Sequence, residues 1–157
     1  MVKPTSAIQR EIRQTKPFAS PEQEGFLALL RTTDLARRRF AEVVEPRGIT
    51  GQQYNVLRIL RGAGADGLCR NEVGERLVRR VPDVTRLLDR MEGQKLVSRQ
   101  RGSDRRYVTT KITSRGLALL DRLDEDVRES HDRLLGHLGD RRLRTLIELL
   151  GDARERT

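Results

Sequence analysis

The 157-residue chain is poor in the residues that build stacking platforms, disulfides and metal sites. It has no tryptophan, two tyrosines and three phenylalanines, so only 3% of the sequence is aromatic. It has one cysteine, Cys69, and two histidines. A single cysteine excludes an internal disulfide framework and fits a reducing cytoplasm, and three Cys and His residues cannot complete a four-ligand zinc site. Few aromatic residues also argue against a single-strand binder that stacks bases on rings.

Long apolar runs are also missing. No stretch approaches the roughly 20 residues of a membrane span. The N-terminal VKPTSAIQREIRQ is polar throughout, unlike a secretory signal. We therefore expect a cytoplasmic, single-domain protein with no membrane partner. The sequence contains no phosphate loop, nucleotide fingerprint or metalloprotease pattern, so we predict no catalytic residue, metal or cofactor and expect that the protein is not an enzyme.

Positive charge, by contrast, is abundant and concentrated. The net charge is +9, and between residues 76 and 106 ten basic residues stand against four acidic ones. About a fifth of the chain therefore carries +6 of the net charge of +9. A charge run is most often a solvated face, but an excess of one sign that coincides with a basic hairpin favours a nucleic acid as partner.

Capping residues and apolar periodicity predict a mainly helical chain. Capping boxes, in which a Ser or Thr cap and a Gln three residues later satisfy each other's backbone N–H groups, begin at Ser20 with Gln23 and at Thr50 with Gln53. Residues 1–19 are expected to form an arm. The predicted helices cover about 20–44, 50–62, 70–77, 82–93, 113–135 and the residues from 140 onward, with at most a short helix at 7–14 in the arm.

The stretch RGSDRRYVTTKITSRG, residues 101–116, predicts a β-hairpin followed by a helix. A strand over 107–112 would place Val108, Thr110 and Ile112 on one face. Thr113 is a suitable N-cap for the next helix. The tip of the hairpin would carry Asp104, Arg105 and Arg106, and we expect Asp104 to pair with one of the two arginines and orient it.

Two short helices joined by a tight connection and followed by a basic hairpin form a winged helix-turn-helix pattern. The second helix would bury Val84, Leu87, Leu88 and Met91 on one apolar stripe. An exposed helix face can read base edges in the major groove, and arginines on a thin hairpin can enter the minor groove. The predicted DNA contacts are Pro82, Asp83, Thr85, Arg86 and Arg90 on the recognition helix, Asp104, Arg105 and Arg106 on the wing, and Arg79, Arg80, Arg99 and Arg101 at phosphates.

An ordered set of motifs makes a family resemblance specific. Thr85 lies within the recognition helix, Leu96-Val97 leads into the wing, Asp104-Arg105-Arg106 forms its tip, and Ile112-Thr113-Ser114-Arg115-Gly116 opens the next helix. This set resembles the MarR (multiple antibiotic resistance regulator) family over roughly residues 20–155. Two positions depart from the family pattern, because Lys95 stands where the family usually has Gly and Gly74 where it favours Ala.

The resemblance implies a mainly α fold with a small β-hairpin wing, in which a winged helix-turn-helix domain at 49–112 is joined to dimerisation helices at 20–48 and 113–157. It implies a homodimeric repressor that binds a pseudo-palindromic site in double-stranded DNA. It further implies release by a small, often aromatic or phenolic, effector or by thiol oxidation. Leucine-rich helices at both ends of the chain independently favour burial against a second copy.

Several alternatives remain at this stage. Cys69, beside Arg70 at a helix start, is a candidate redox residue, although an inert cap is the commoner role of such a cysteine. A DNA-binding protein of this charge could be architectural and indifferent to sequence, with a steep salt dependence and little preference between duplexes. A small helical enzyme and an adaptor that has lost DNA binding are weaker alternatives, since no catalytic constellation is present and the basic wing is intact.

Overall fold

The computed structural model describes residues 6–101 and 108–155, and of Arg101 only the backbone. These residues form seven α-helices, three short strands and three 3₁₀ turns. The helices are α1 (Ala7–Glu11), α2 (Pro21–Val44), α3 (Gly51–Ala63), α4 (Arg70–Arg76), α5 (Val84–Gly93), α6 (Ser114–Leu135) and α7 (Gly139–Glu155). The strands are β1 (Leu68–Cys69), β2 (Val97–Arg101) and β3 (Val108–Ile112), and the 3₁₀ turns are Glu45–Arg47, Gly64–Asp66 and Gly136–Leu138. The predicted fold class, mainly α with a β-hairpin, is confirmed.

The chain divides into two compact units, Met1–Arg39 and Phe40–Thr157. In the first unit, α1 buries Ile8, and Glu11 forms an ion pair with Arg31 of α2 at 3.5 Å. The same unit leaves large apolar side chains between 40% and 60% exposed. They are Ile12, Phe26, Leu29, Leu30 and Leu35.

The second unit is built around one hydrophobic core. The core takes Val56, Leu57 and Leu60 from α3, together with residues of α4, α5, β2, β3 and α6. Leu120, Leu123 and Val127 form the apolar seam of α6 that their spacing predicts, and all three are buried in this core. The helix α6 therefore shares its core with residues 49–112. The predicted domain boundaries at 48 and 112 stay a prediction.

The helix starts follow the predicted caps, with two corrections. At Thr50 both hydrogen bonds of the capping box form, at 3.3 and 2.9 Å. At Ser20, however, the Gln23 side chain accepts from the N–H of Ala19 rather than from that of Ser20. The recognition helix begins at Val84 instead of residue 82, because the Asp83 side chain caps it. Pro82 therefore lies outside the helix.

The end of α5 shows why glycine suits position 95 and what the lysine there costs. Leu96 donates its N–H to the carbonyl of Met91 at 3.0 Å, and Lys95 donates to that of Glu92 at 2.8 Å. This pair of bonds is a Schellman motif, which requires a left-handed residue, and Lys95 adopts it with φ 59°. The α-helix itself ends at Gly93. A side chain in this conformation costs about 1 kcal/mol or more relative to glycine.

Replacing Lys95 with glycine is therefore expected to raise the free energy of unfolding by about 1 kcal/mol. The gain comes from relief of the left-handed strain and exceeds the entropy that glycine adds to the unfolded chain. Urea unfolding of Lys95→Gly against the parent chain measures it. Lys95→Ala, which keeps the Cβ, serves as the control and is expected to show no comparable gain. A destabilised glycine variant would contradict the strain argument.

The sheet contains a strand that the sequence analysis missed. Strands β2 and β3 pair as an antiparallel hairpin, with Val97 opposite Ile112 and Arg101 opposite Val108. On its other side β3 pairs with β1, where Leu68 lies opposite Thr110. Two residues are too few to show the alternation that marks a strand. Thr110, in the middle of the central strand, is fully buried.

Candidate nucleic-acid interface

The helices α4 and α5 pack closely through Gly74. A Cβ added at this glycine would lie 3.3 Å from the Val84 side chain, so the small residue permits the approach. The connection over 77–83 is also anchored to α3, because Asn55 accepts a hydrogen bond from the N–H of Val78 at 2.9 Å. These contacts set the position of α5 relative to the core.

The helix α5 has one buried and one exposed face, as predicted. Leu87, Leu88 and Met91 are buried, with 5% or less of each residue exposed. The exposed side chains of α5 that were predicted to contact DNA are Thr85, Arg86 and Arg90. An α-helix that presents such a face fits the major groove of B-DNA.

Asp83 plays a structural part at the start of this helix. Its Oδ1 accepts the N–H of Arg86 at 2.8 Å, which satisfies one of the free donors of the first turn. The carboxylate is therefore engaged in capping α5, and Pro82 is exposed just before it. Whether either residue contacts DNA stays a prediction.

Arg70 is a candidate DNA-facing residue that the sequence analysis did not select. It is exposed at the start of α4, and its guanidinium donates to Asn71 Oδ1 at 3.0 Å and to Thr85 Oγ1 at 3.4 Å. Arg70 thus lies beside the first turn of α5. Fifteen residues separate it from Thr85, so only the packing of α4 against α5 could reveal the pair.

The predicted phosphate contacts divide into two groups. Arg79 and Arg80 are exposed in the connection between α4 and α5, where their side chains are free to contact DNA phosphates. Arg99, on β2, is instead held by carboxylates of α5. Its guanidinium donates to Asp89, and it donates to Glu92 through Nε at 3.0 Å and through its backbone N–H at 3.1 Å.

These bonds make Arg99 a link between the wing and the recognition helix. Hydrogen bonding to Asp89, followed by the charge of Glu92, raises the pKa of the Arg99 guanidinium above its ordinary value. The side chain is 23% exposed, less than either carboxylate. Its predicted phosphate role stays a prediction, and the geometry gives it a positioning role in the DNA-free protein.

A double-mutant cycle tests this link. Arg99→Gln and Glu92→Gln are each expected to lower the free energy of unfolding, and their combined effect should fall short of the sum by about 1 kcal/mol. Urea unfolding of the parent, the two single variants and the double variant gives the coupling. The fully exposed pair Arg128 with Glu125 is the control, and its coupling is expected to be weaker than that of Arg99 with Glu92 because solvent screens it. Additive effects at Arg99 and Glu92 would show that the link contributes nothing.

The wing tip lies outside the described residues. The predicted tip residues Asp104, Arg105 and Arg106 fall in the range 102–107, and Arg101 is described by its backbone alone. The strands on either side converge on this range, since Arg101 pairs with Val108. The hairpin predicted from the sequence is thus confirmed, and the roles of its tip residues stay predictions.

Cys69 occupies the N-cap position of α4. Its backbone N–H donates to Glu72 Oε2 at 2.8 Å. This bond, followed by a hydrogen bond from the Cys69 side chain, lowers the pKa of the Glu72 carboxyl below its ordinary value. The thiol is free and half-buried, with a carboxylate as its neighbour, while the Arg70 guanidinium donates to Asn71 and Thr85. The redox role of Cys69 stays a prediction.

The described residues also include a small aromatic cluster around Phe40. His131 is exposed and stacks on Phe40 with ring centroids 6.2 Å apart, and Phe40 meets Tyr54 edge-on at 5.1 Å. Within residues 6–101 and 108–155, no group of three or more His, Cys, Asp and Glu side chains is arranged to hold a metal ion. In the same ranges no helix has the length and apolar character needed to cross a membrane.

The chain is similar to transcriptional regulators in both sequence and structure, although no family model matches it. A MarR transcription factor from Planctomyces limnophilus is 40% identical, with 86% of this chain and 98% of that chain covered and a TM-score of 0.67. The transcriptional repressor CouR, solved on a 23-mer DNA duplex, is 29% identical, with 88% and 99% covered and a TM-score of 0.74. The transcriptional regulator FarR of Neisseria gonorrhoeae is 28% identical over 137 residues, which are 87% of this chain and 92% of that protein. The chain therefore belongs to the MarR family of transcriptional regulators.

Proposed function

We propose that this protein is a sequence-specific transcriptional repressor that binds double-stranded DNA. The observation that carries the proposal is the exposed face of α5, with Thr85, Arg86 and Arg90 directed away from the core. Arg79 and Arg80 lie exposed at one end of the recognition helix, and the hairpin is linked to it by Arg99. The DNA complex of the 29% identical repressor CouR supports this use of the fold.

We further propose that the protein acts as a homodimer on a pseudo-palindromic operator. Ile147 and Leu149 of α7 are 66% and 60% exposed, and α7 buries none of its described residues. The first unit exposes Phe26, Leu29 and Leu30 to a similar degree. Apolar surfaces of this kind are typical of an interface between copies. A two-fold pair would place the recognition helices about one DNA turn apart, roughly 34 Å.

The family resemblance implies control by a small aromatic effector or by thiol oxidation, and we propose Cys69, the one cysteine of the sequence, as the candidate for oxidation. Either would shift the protein between a conformation that binds the operator and one that does not. If oxidation of Cys69 is the signal, peroxide should weaken operator binding by the parent chain and leave operator binding by Cys69→Ser unchanged. Equal loss in both proteins would assign the effect to another residue.

The primary test compares the affinity of the protein for the DNA upstream of its own gene with its affinity for a scrambled duplex, at two salt concentrations. A specific regulator is expected to prefer the first duplex by about a thousandfold at physiological salt. Equal binding of both duplexes with a steep salt dependence would instead support an architectural DNA-binding protein.

Within this assay, Arg106→Ala is expected to weaken operator binding by about tenfold or more. The substitution removes a cation that we expect to enter the negative potential of the minor groove. Arg128→Ala, which removes the same charge from the exposed side of α6, is the matched control. Light scattering should show that both variants keep the parent's oligomeric state. Unchanged operator affinity in Arg106→Ala would contradict the prediction that Arg106 of the wing contacts DNA.

A further inference from the structure

Arg70 and Thr85 meet across the helix-turn-helix, the first at the start of α4 and the second in the first turn of α5. The Arg70 guanidinium donates to Asn71 Oδ1 through Nε at 3.3 Å and through Nη2 at 3.0 Å. Its Nη1 group donates to Thr85 Oγ1 at 3.4 Å. All three residues are exposed, so this contact is accessible from solvent.

The packing of α4 against α5 brings the two side chains together. Gly74 follows Arg70 by four residues, so both lie on the same face of α4. A Cβ added at Gly74 would lie 3.3 Å from the side chain of Val84, which directly precedes Thr85. The two bonds to Asn71 then hold the long arginine side chain within reach of the Thr85 hydroxyl.

Both partners of the Arg70 guanidinium are uncharged. Within the described residues Arg70 forms no ion pair, whereas Arg99 is paired with two carboxylates of α5. A guanidinium has five N–H donors, and the three bonds of Arg70 leave two of them unused. No carboxylate of the described chain therefore neutralises the cation that contacts Thr85.

The Thr85 hydroxyl has a proton left to donate. A threonine inside a helix can donate this proton to the carbonyl four residues earlier, as Thr145 of α7 does to Arg141 at 3.2 Å. Thr85 is the second residue of α5, so no helical carbonyl lies four residues before it. Among the described residues its Oγ1 has one hydrogen-bond partner, Arg70. The hydroxyl proton is therefore available to an acceptor outside the chain.

The contact with Arg70 determines which base edges suit Thr85. A hydroxyl alone discriminates poorly, because it can donate or accept. In Thr85 a cation already occupies one lone pair of the oxygen, which disfavours a second donor beside it. In the major groove purine N7, guanine O6 and thymine O4 are acceptors, whereas cytosine presents its N4 amino group as a donor. The arrangement thus favours an acceptor edge and disfavours cytosine.

We propose that Arg70 is a positioning residue for base recognition. By donating to Thr85 Oγ1 it directs the hydroxyl proton towards the base, so that Thr85 acts as a hydrogen-bond donor and selects against cytosine at the position it contacts. The inference rests on the proposed sequence-specific binding of DNA. It makes a residue of α4 a determinant of the base preference that α5 expresses.

Binding titrations test this role with the DNA upstream of the gene for this protein and a panel of its single base-pair variants. Thr85→Val removes the hydroxyl, keeps the shape of the side chain, and identifies the position that Thr85 reads. The parent chain is expected to disfavour cytosine there by about fivefold or more. Arg70→Met, which removes the guanidinium and keeps an apolar stem, should lose most of this preference. Arg80→Met, the same change in the connection before α5, should weaken binding of every duplex about equally.

Two further measurements separate positioning from a general structural effect. Arg70→Met/Thr85→Val should show the same preference at this position as Thr85→Val alone, because Arg70 acts there through Thr85. In the DNA-free protein, the NMR signal of the Thr85 methyl group should shift in Arg70→Met and stay in place in Arg80→Met.

Four outcomes would overturn the proposal and leave the repressor function in place. They are an unchanged base preference in Arg70→Met, an equal loss for all duplexes in Arg70→Met, no position at which Thr85→Val alters the preference, and an unmoved Thr85 signal in Arg70→Met. A parent chain that binds the upstream DNA and a scrambled duplex equally would instead overturn the proposed function, and this proposal with it.

Discussion

Replacing Gly116 with alanine is expected to lower the free energy of unfolding by about 2–3 kcal/mol. A Cβ at this position would lie 2.5 Å from the carbonyl oxygen of Leu96 and 2.8 Å from the Ile112 side chain. The same region is tied by hydrogen bonds, since Thr113 caps α6 and also donates its N–H to Leu96 at 3.1 Å. The backbone at Leu96 cannot retreat without breaking that bond, so the added methyl group must displace α6 or the base of the wing.

Urea unfolding measures this effect, and Gly62→Ala is the matched control. Gly62 lies in α3, and a Cβ there would meet nothing within 4 Å. The control should gain about 0.5–1 kcal/mol from improved helix propensity. A Gly116→Ala variant as stable as the parent chain would contradict the close approach of α6 to the wing.

Replacing Arg86 with alanine is expected to relax operator preference at one base position by about 1–3 kcal/mol. Arg86 lies in the first turn of α5, its backbone N–H is held by Asp83, and its side chain is exposed. Within the described residues its guanidinium has no hydrogen-bond or ion-pair partner, so it is available to donate to a guanine edge. Bidentate contacts of this kind discriminate between bases.

The measurement is a binding titration against the operator and a panel of single base-pair changes. Arg80→Ala is the control, because an exposed arginine in the connection before α5 is expected to contact phosphate. The control should weaken binding about equally for every duplex and reduce the salt slope by about one. If Arg86→Ala behaves in the same way, Arg86 contacts phosphate and another side chain reads that base.

The local features of the fold were predictable because short-range contacts determine them. Thr50 with Gln53 and Thr113 with Gly116 cap their helices as expected, since cap and partner lie three residues apart. The apolar stripes of α5 and α6 were predictable for the same reason, because side chains three and four apart share one face of a helix. The predicted start of α5 was two residues too early, because Pro82 and Asp83 both suit a helix start. In the structure the Asp83 side chain forms the cap, so the helix begins at Val84.

The sequence by itself thus determined the helices and their caps, the basic hairpin and the family of this protein, because each depends on neighbouring residues or on the order of motifs. Only the tertiary structure decided which distant groups meet. It paired β1 with β3, joined Arg99 to Asp89 and Glu92, and brought Arg70 to Thr85. These contacts join residues seven to forty-two positions apart, and their geometry follows from how the helices pack around one core, which no local pattern encodes.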